Sequence, residues 1–184
     1  MPAPSRWLRR WAHLLRDGGT VLDVACGSGR HVRWLAARGF AVTALDRDAA
    51  ALQPLRDIAE VCVADIEAGA WPLPGRRFDA VLVTHYLHRP LWPVLRASLN
   101  PGGVLIHETF ADGNQTVGRP ANPDFLLRHG ELLQAAAGLR VVAYEDGFVE
   151  PPPRYVQRIV AVEAASDGAA NARYRLDEAD EPRG

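Results

Sequence analysis

From residue 20 onward, short apolar runs alternate with stretches whose apolar residues recur at helical spacing. A chain that builds a parallel sheet covered by helices has to read this way. The runs predict strands at 20–24, 41–45, 61–64, 78–84 and 104–109, with helices near 30–38, 49–58 and 91–99, the last entered beside Pro90. Trp71-Pro72-Leu73-Pro74-Gly75 and Asn100-Pro101-Gly102-Gly103 read as a loop and a turn. Regularity weakens after the fifth strand. A Gly-, Asn- and Pro-rich loop over 111–123 leads into an expected helix over 123–137 that can break at Gly130. Two alternating segments, 139–149 and 155–163, flank Pro151-Pro152-Pro153 and predict an antiparallel pair closing one edge of the sheet.

The ends of the chain read differently. Trp7, Leu8, Trp11, Leu14 and Leu15 fall on one helical face with arginines between them, before a stop at Asp17-Gly18-Gly19. Residues 1–17 are therefore expected to form an amphipathic lid or packing helix rather than a membrane-surface helix, and residues 18–164 the catalytic domain. Residues 165–184 are small and charged, and are expected to be a disordered tail.

Composition narrows the possibilities. With 184 residues and 48% hydrophobic content, one core is the expectation. A formal net charge of −1 provides no basic stripe, so a nucleic-acid partner is not expected, nor a membrane. All 21 basic residues are arginine, which excludes a lysine Schiff base and a P-loop lysine. Two cysteines are too few for a disulfide framework, and no long apolar segment is present, which points to the cytoplasm. Cys26 and Cys62 read as packed residues. Nothing in the sequence decides the oligomeric state.

The strongest chemical signal is Val21-Leu22-Asp23-Val24-Ala25-Cys26-Gly27-Ser28-Gly29-Arg30, a strand running into a glycine turn and then a helix. Gly27 and Gly29 allow a sharp turn and close approach to a ligand. A dinucleotide fingerprint wants a third glycine at position 32, where this chain has Val32. Asp23 instead places a carboxylate beside the turn, which suits a cationic amino-acid group. Asp46, ending the second strand, can accept both hydroxyls of a ribose, while Asp48 is the better cap for the following helix. Asp65 closes the third strand, where it can accept an adenine amine with Ile66 against the ring. Ligands of open parallel sheets bind along this strand-end edge.

These residues resemble the cofactor motifs of class I S-adenosylmethionine-dependent methyltransferases, with Ala25 replacing the usual first glycine. The resemblance implies a Rossmann-like α/β fold: a mostly parallel seven-stranded sheet, helices on both faces and a C-terminal antiparallel hairpin. It also implies S-adenosylmethionine as cofactor, held by Asp23, Ala25, Cys26, Gly27, Gly29, Arg30, Asp46, Arg47, Asp65, Ile66 and Thr84. Asn100-Pro101-Gly102-Gly103 is similar to the family's Pro-Gly-Gly element, with Asn100 in place of a base. A narrower similarity, to small tellurite-resistance and thiopurine-type methyltransferases, rests on Gly27-x-Gly29-Arg30, on Leu35-Ala36-x-x-Gly39-Phe40-x-Val42-Thr43-Ala44-x-Asp46, and on Gly130-Glu131-Leu132.

In that architecture Thr84-His85-Tyr86-Leu87-His88 lines the reaction centre. His85, His88 and Glu108 are the candidate catalytic groups, and Tyr86, Arg119 and Arg154 the candidate substrate contacts. His107 and Glu108 should face opposite sides of their strand. His85 and His88 lack a third ligand, so no metal is expected. The absence of an Asn/Asp-Pro-Pro-Tyr/Phe segment argues against methylation of exocyclic base amines, and a small-molecule acceptor is expected. A thiolate or tellurium oxyanion needs no base, whereas a hydroxyl or amine does. Arg6, Arg9 and Arg10 keep open RNA or an acidic protein as acceptor. A module that binds S-adenosylmethionine without catalysis also remains open.

Overall fold

The computed structural model describes residues 3–165 and 173–176. Seven strands form one sheet: β1 (Thr20–Val24), β2 (Ala41–Asp46), β3 (Glu60–Val63), β4 (Phe78–Thr84), β5 (Leu99–Phe110), β6 (Arg140–Val149) and β7 (Arg154–Val162). Their order is β3-β2-β1-β4-β5-β7-β6. The first five are parallel, and β7 inserts antiparallel between β5 and β6. The expected closing pair thus lies at one edge.

The central strands alternate between two apolar layers. Leu22 and Val24 of β1, with Val81 and Val83 of β4, enter one cluster. Val21, Ala80 and Leu82 enter the other. Strands buried on both faces need covering helices on both sides, which accounts for their nearly continuous apolar composition. Helix α2 (Arg30–Ala36) places Val32 and Leu35 in the second layer, while α4 (Trp92–Ala97) places Leu95 in the first.

Helix α1 (Arg6–Trp11) belongs to the second layer, and a 3-10 turn extends it over Ala12–Leu14. Ser5 caps it, its hydroxyl accepting from the N–H groups of Trp7 and Leu8. Trp7, Leu8 and Trp11 are about 98% buried or more. Trp7 also donates from its indole to the Ile159 carbonyl of β7 at 3.3 Å. Each such side chain contributes roughly 1.5–3 kcal/mol by leaving water, so α1 is a structural part of the layer.

Three elements depart from the sequence pattern. The helix expected over 49–58 is α3 (Ala49–Leu52) followed by a 3-10 turn, Gln53–Leu55, because Pro54 lacks an N–H and crowds the preceding turn. Strand β5 begins earlier than expected and includes the Asn100-to-Gly103 turn. The helix expected over 123–137 is a 3-10 turn at Pro123–Phe125, an extended link and α5 (Glu131–Ala135). The Arg89 guanidinium occupies the carbonyls of Asp124 and Leu126 and grips the Glu131 carboxylate, so those carbonyls are not free for a helical ladder. Leu127 instead bridges Ala111.

Much of the expected tail lies outside the described residues. Of the described part, Tyr174 lies beneath the Arg140 guanidinium, and the Arg175 carbonyl meets His13 at 3.0 Å. No helix among the described residues is long and apolar enough to cross a membrane.

Candidate functional site

The turn after β1 is built from positive-φ positions: Ala25 at +53°, Gly27 at +55° and Gly29 at +76°. At Gly29 a side chain is excluded twice, since an added Cβ would stand 2.5 Å from Leu55 Cδ1. At Gly27 the space where a side chain would point is open. Ala25 carries a Cβ in the left-handed region, which costs about 1 kcal/mol.

Asp46 holds this turn against the sheet. One carboxylate oxygen accepts the Gly27 N–H at 2.8 Å and the other the Asp48 N–H at 3.0 Å, while the Cys26 N–H donates to the Leu45 carbonyl. Asp48 caps α3, as its position suggested. Asp65 is pinned similarly by the N–H groups of Glu67 and Ala68, which hold its carboxyl below the usual carboxylate range. A cavity of about 220 Å³ opens between these acids, lined by Ala25, Asp46, Arg47, Ala64, Asp65, Ile66, Glu67 and Tyr86.

Asp23 lies deeper. It is fully buried, neither carboxylate oxygen has a hydrogen-bond partner, and burial pushes its pKa up to about 8. His31 Nδ1 is 3.8 Å away but offers no charge, because burial lowers its pKa to about 3. The Ser5 N–H donates to His31 Nε2, so the ring proton sits on Nδ1 and points to Thr84 Oγ1 at 3.1 Å. An orphaned buried carboxylate is costly unless a cation joins it.

The chemistry of these residues fits S-adenosylmethionine. Asp23 lacks a cationic partner such as an ammonium, Asp46 has lone pairs left for ribose hydroxyls, and Asp65 with Ile66 offers an acceptor and an apolar wall for a base. The Asp46 and Asp65 carboxylates on the strand-end edge beside the turn repel a diphosphate. Cys26 is buried with its thiol pushed up by burial and by Asp23 and Asp46, the condition of a packed residue. Cys62 is only partly buried, against the first layer.

A second cluster forms where β4 and β5 end and β7 begins. His85 has φ +55° and stacks on Phe110 with ring centroids 5.0 Å apart. Its Nδ1 meets the Arg30 guanidinium at 3.3 Å, and its Nε2 faces Glu108 Oε1 at 3.7 Å. A guanidinium only donates, so Nδ1 is the acceptor and the neutral ring carries its proton on Nε2. Glu108 is buried. It accepts the Ser5 hydroxyl at 2.9 Å and forms an ion pair with Arg158, whose Nε stands 2.7 Å from Oε2 without an aligned hydrogen bond, and Arg158 Nη1 also reaches Glu145. Burial lowers the His85 pKa, Glu108 opposes this, and Arg30, Arg154 and Arg158 add to the lowering. Arg154 Nε is buried without a hydrogen-bond partner.

The candidate residues therefore divide. His85, Glu108, Arg154 and Arg30 come together. His88 is within electrostatic reach of Asp65 instead, and Tyr86 lines the cradle cavity. Arg119 is exposed on its loop. His107 faces away from Glu108, as strand alternation requires, and reaches the Tyr86 carbonyl at 3.3 Å. Among the described residues no group of three or more His, Cys, Asp and Glu side chains could hold a metal ion. Sequence reasoning missed Ser5, His31 and Arg158 as members of the site. Ser5 and Glu108 are 103 positions apart, and nothing local signals their contact.

Residues 21–103 match a family model described as a methyltransferase domain. Among curated proteins, the chain is 29% identical over 161 residues to tRNA U34 carboxymethyltransferase of Klebsiella pneumoniae, covering 79% of this chain and 48% of that protein. The chain thus spans about half the length of the curated relatives it matches. Among solved structures, an S-adenosylmethionine-dependent methyltransferase from Methanosarcina mazei superposes with a TM-score of 0.67 at 16% identity, covering 90% of this chain and 100% of that one. TehB from Haemophilus influenzae gives 0.65 at 18% identity, over 79% and 57%. These likenesses are to the fold.

Proposed function

We propose that this chain, which carries a methyltransferase domain of the class I S-adenosylmethionine-dependent fold, transfers the methyl group to a small acceptor that reacts as a soft anion, a thiolate or a tellurite-like oxyanion. The observation that carries the acceptor class is the cluster of arginines at His85, where Arg30 hydrogen-bonds the ring and Arg154 and Arg158 add positive charge beside it.

When bound, S-adenosylmethionine supplies an electrophilic methyl on a sulfonium, a centre that needs little more than an aligned nucleophile about 3 Å away. Asp23, Asp46 and Asp65 would hold it, with the Gly27 turn giving close backbone approach. The chain's own residues then have to position the acceptor and exclude water. Arg154, with a buried unpartnered N–H, is suited to an anionic acceptor, and Phe110 with His85 provides an apolar wall. Of the three candidate bases, His85 has Nδ1 covered by Arg30, Glu108 is engaged by Ser5 and Arg158, and His88 lies on the Asp65 side. An acceptor that arrives as an anion suits such a site. Tyr86 is assigned to the cofactor side and Arg119 to loop recognition of the acceptor.

A second reading takes tRNA as the acceptor, since the Klebsiella relative is named a tRNA U34 carboxymethyltransferase, although the group in that name is carboxymethyl rather than methyl. Against it, Arg10 of the basic helix is already paired with Glu145 and packed on Trp11. The test is S-adenosylhomocysteine release and methyl labelling with thiols, tellurite and small oxyanions against total tRNA. Labelling of the small acceptors is expected. Labelling confined to tRNA would defeat the small-molecule assignment.

A further inference from the structure

Arg30 belongs to the cradle by sequence, as the first residue of α2 after the Gly29 cap, yet its guanidinium reaches His85, 55 positions away at the end of β4. It hydrogen-bonds the His85 ring directly, whereas His31 on the cradle side reaches the cluster only through Ser5. Its charge acts on both sides, lowering the pKa of Asp23 in the cradle and of His85 in the acceptor cluster.

That hydrogen bond decides what His85 can do. Nε2 carries the ring proton toward Glu108, so Nδ1 holds the ring's only lone pair in the plane, and Arg30 covers it. A bound amino-acid group with a carboxylate would compete for this guanidinium. A charge-assisted, two-pronged carboxylate contact is stronger than one 3.3 Å bond to a neutral imidazole. His85 cannot follow the guanidinium, because its main-chain N–H is fixed to the Glu108 carbonyl at 2.8 Å and its ring is stacked on Phe110.

We propose that Arg30 is a positioning residue shared between the two halves of the site: the carboxylate of the cofactor's amino-acid group draws it off His85 Nδ1, uncovering that nitrogen toward the acceptor only once cofactor is in place. This rests on the cofactor assignment above. The uncovered nitrogen can take the proton of a thiol acceptor, which then reacts as the thiolate; in the free protein, with Nδ1 covered, that base is absent and only an acceptor already anionic suits the site. The ring faces Glu108 of β5, Arg30 of α2, and Arg154 and Arg158 of β7. Glu108 and Arg158 hold each other, whereas a single 3.3 Å hydrogen bond joins Arg30 to the ring.

The test is ¹H–¹⁵N correlation of the His85 ring nitrogens across pH, in the free protein, with S-adenosylhomocysteine and with methylthioadenosine, which lacks the amino-acid group. Calorimetry establishes binding of each nucleoside independently. S-adenosylhomocysteine is expected to change the Nδ1 resonance and move the His85 titration upward, as the guanidinium charge is neutralised. Methylthioadenosine is expected to bind more weakly and leave both unchanged. Arg30→Gln, with Arg30→Lys as the charge-preserving control, should titrate at the higher position already without ligand. The Gln variant should also lose about tenfold in S-adenosylhomocysteine affinity. S-adenosylhomocysteine binding with no change at His85, or an equal change with methylthioadenosine, would overturn the inference. Binding of neither nucleoside would overturn the cofactor assignment and the inference with it.

Discussion

The two halves of the site are built by different means. On the cradle side two of the three acids are held by backbone N–H groups, Asp46 by Gly27 and Asp48 and Asp65 by Glu67 and Ala68, while Asp23 has no hydrogen-bond partner. On the acceptor side each group is held by side chains from remote parts of the chain: Glu108 by Ser5 and Arg158, His85 by Arg30 and Phe110. Backbone-held groups keep their geometry when a neighbouring side chain changes. A side-chain network is cooperative, and removing one member leaves the others buried without partners.

Glu108→Ala is expected to have the largest effect. It removes one of the two carboxylates on Arg158, whose side chain is only 12% exposed, leaving only Glu145, and takes away the acceptor of the Ser5 hydroxyl proton at the start of α1. Breaking a buried pair from one side costs about 3–5 kcal/mol. Denaturant unfolding should show this loss, while Glu108→Gln keeps the Ser5 contact and recovers part of it. A loss below about 1 kcal/mol would mean that the network is not cooperative.

Asp46→Ala should act on the other half, weakening S-adenosylhomocysteine binding by about 1.5–3 kcal/mol, tenfold or more by calorimetry. The melting transition should fall less than in Glu108→Ala, since Asp46 contacts only local backbone. Unchanged affinity in a folded variant would remove Asp46 from the cofactor site.

Asp23 permits a test with pH. Its folded-state pKa, about 8, lies above the ordinary aspartate value of 3.8. Between these values the folded protein binds more protons than the unfolded chain, so this residue's contribution to stability falls as pH rises from about 4 to 8. Asp23→Asn should remove that decline and be more stable than the parent at pH 8 by about 1–3 kcal/mol, yet bind cofactor less tightly. Parallel pH profiles for the two proteins would show that Asp23 has a partner even without ligand.

The smallest effect is at Ala25. Glycine there relieves the φ of +53° but adds freedom to the unfolded chain, so Ala25→Gly should stabilise by no more than about 1 kcal/mol. Loss of stability would show that the Ala25 methyl contributes packing to the cradle wall.

The same division explains what could be read from the sequence. Strands β1 and β4 and the edge pair follow from short apolar runs and alternation, and Asp23, Asp46 and Asp65 follow because each ends a recognisable strand. The helix over 123–137 failed because its carbonyls are taken by Arg89, a residue more than thirty positions earlier. Ser5, His31 and Arg158 escaped notice for the same reason: their roles come from contacts across the sheet, which local spacing does not encode. Tyr86 was placed on the loop correctly, but side-chain direction after the strained His85 sends it to the cradle cavity.

Cys26 gives the cradle a built-in clock. Its thiol is shut inside the turn with its reactive thiolate form suppressed, so an alkylating reagent can modify it only during moments when the turn opens. The rate of modification then measures how often that happens, at one atom, in unlabelled protein. Because Cys62 is partly accessible outside the turn, it reacts on its own schedule and serves as the internal reference for reagent strength. A ligand that rests on Gly27 should slow the first reaction while leaving the second alone, turning the breathing of a five-residue turn into a ratio of two rates.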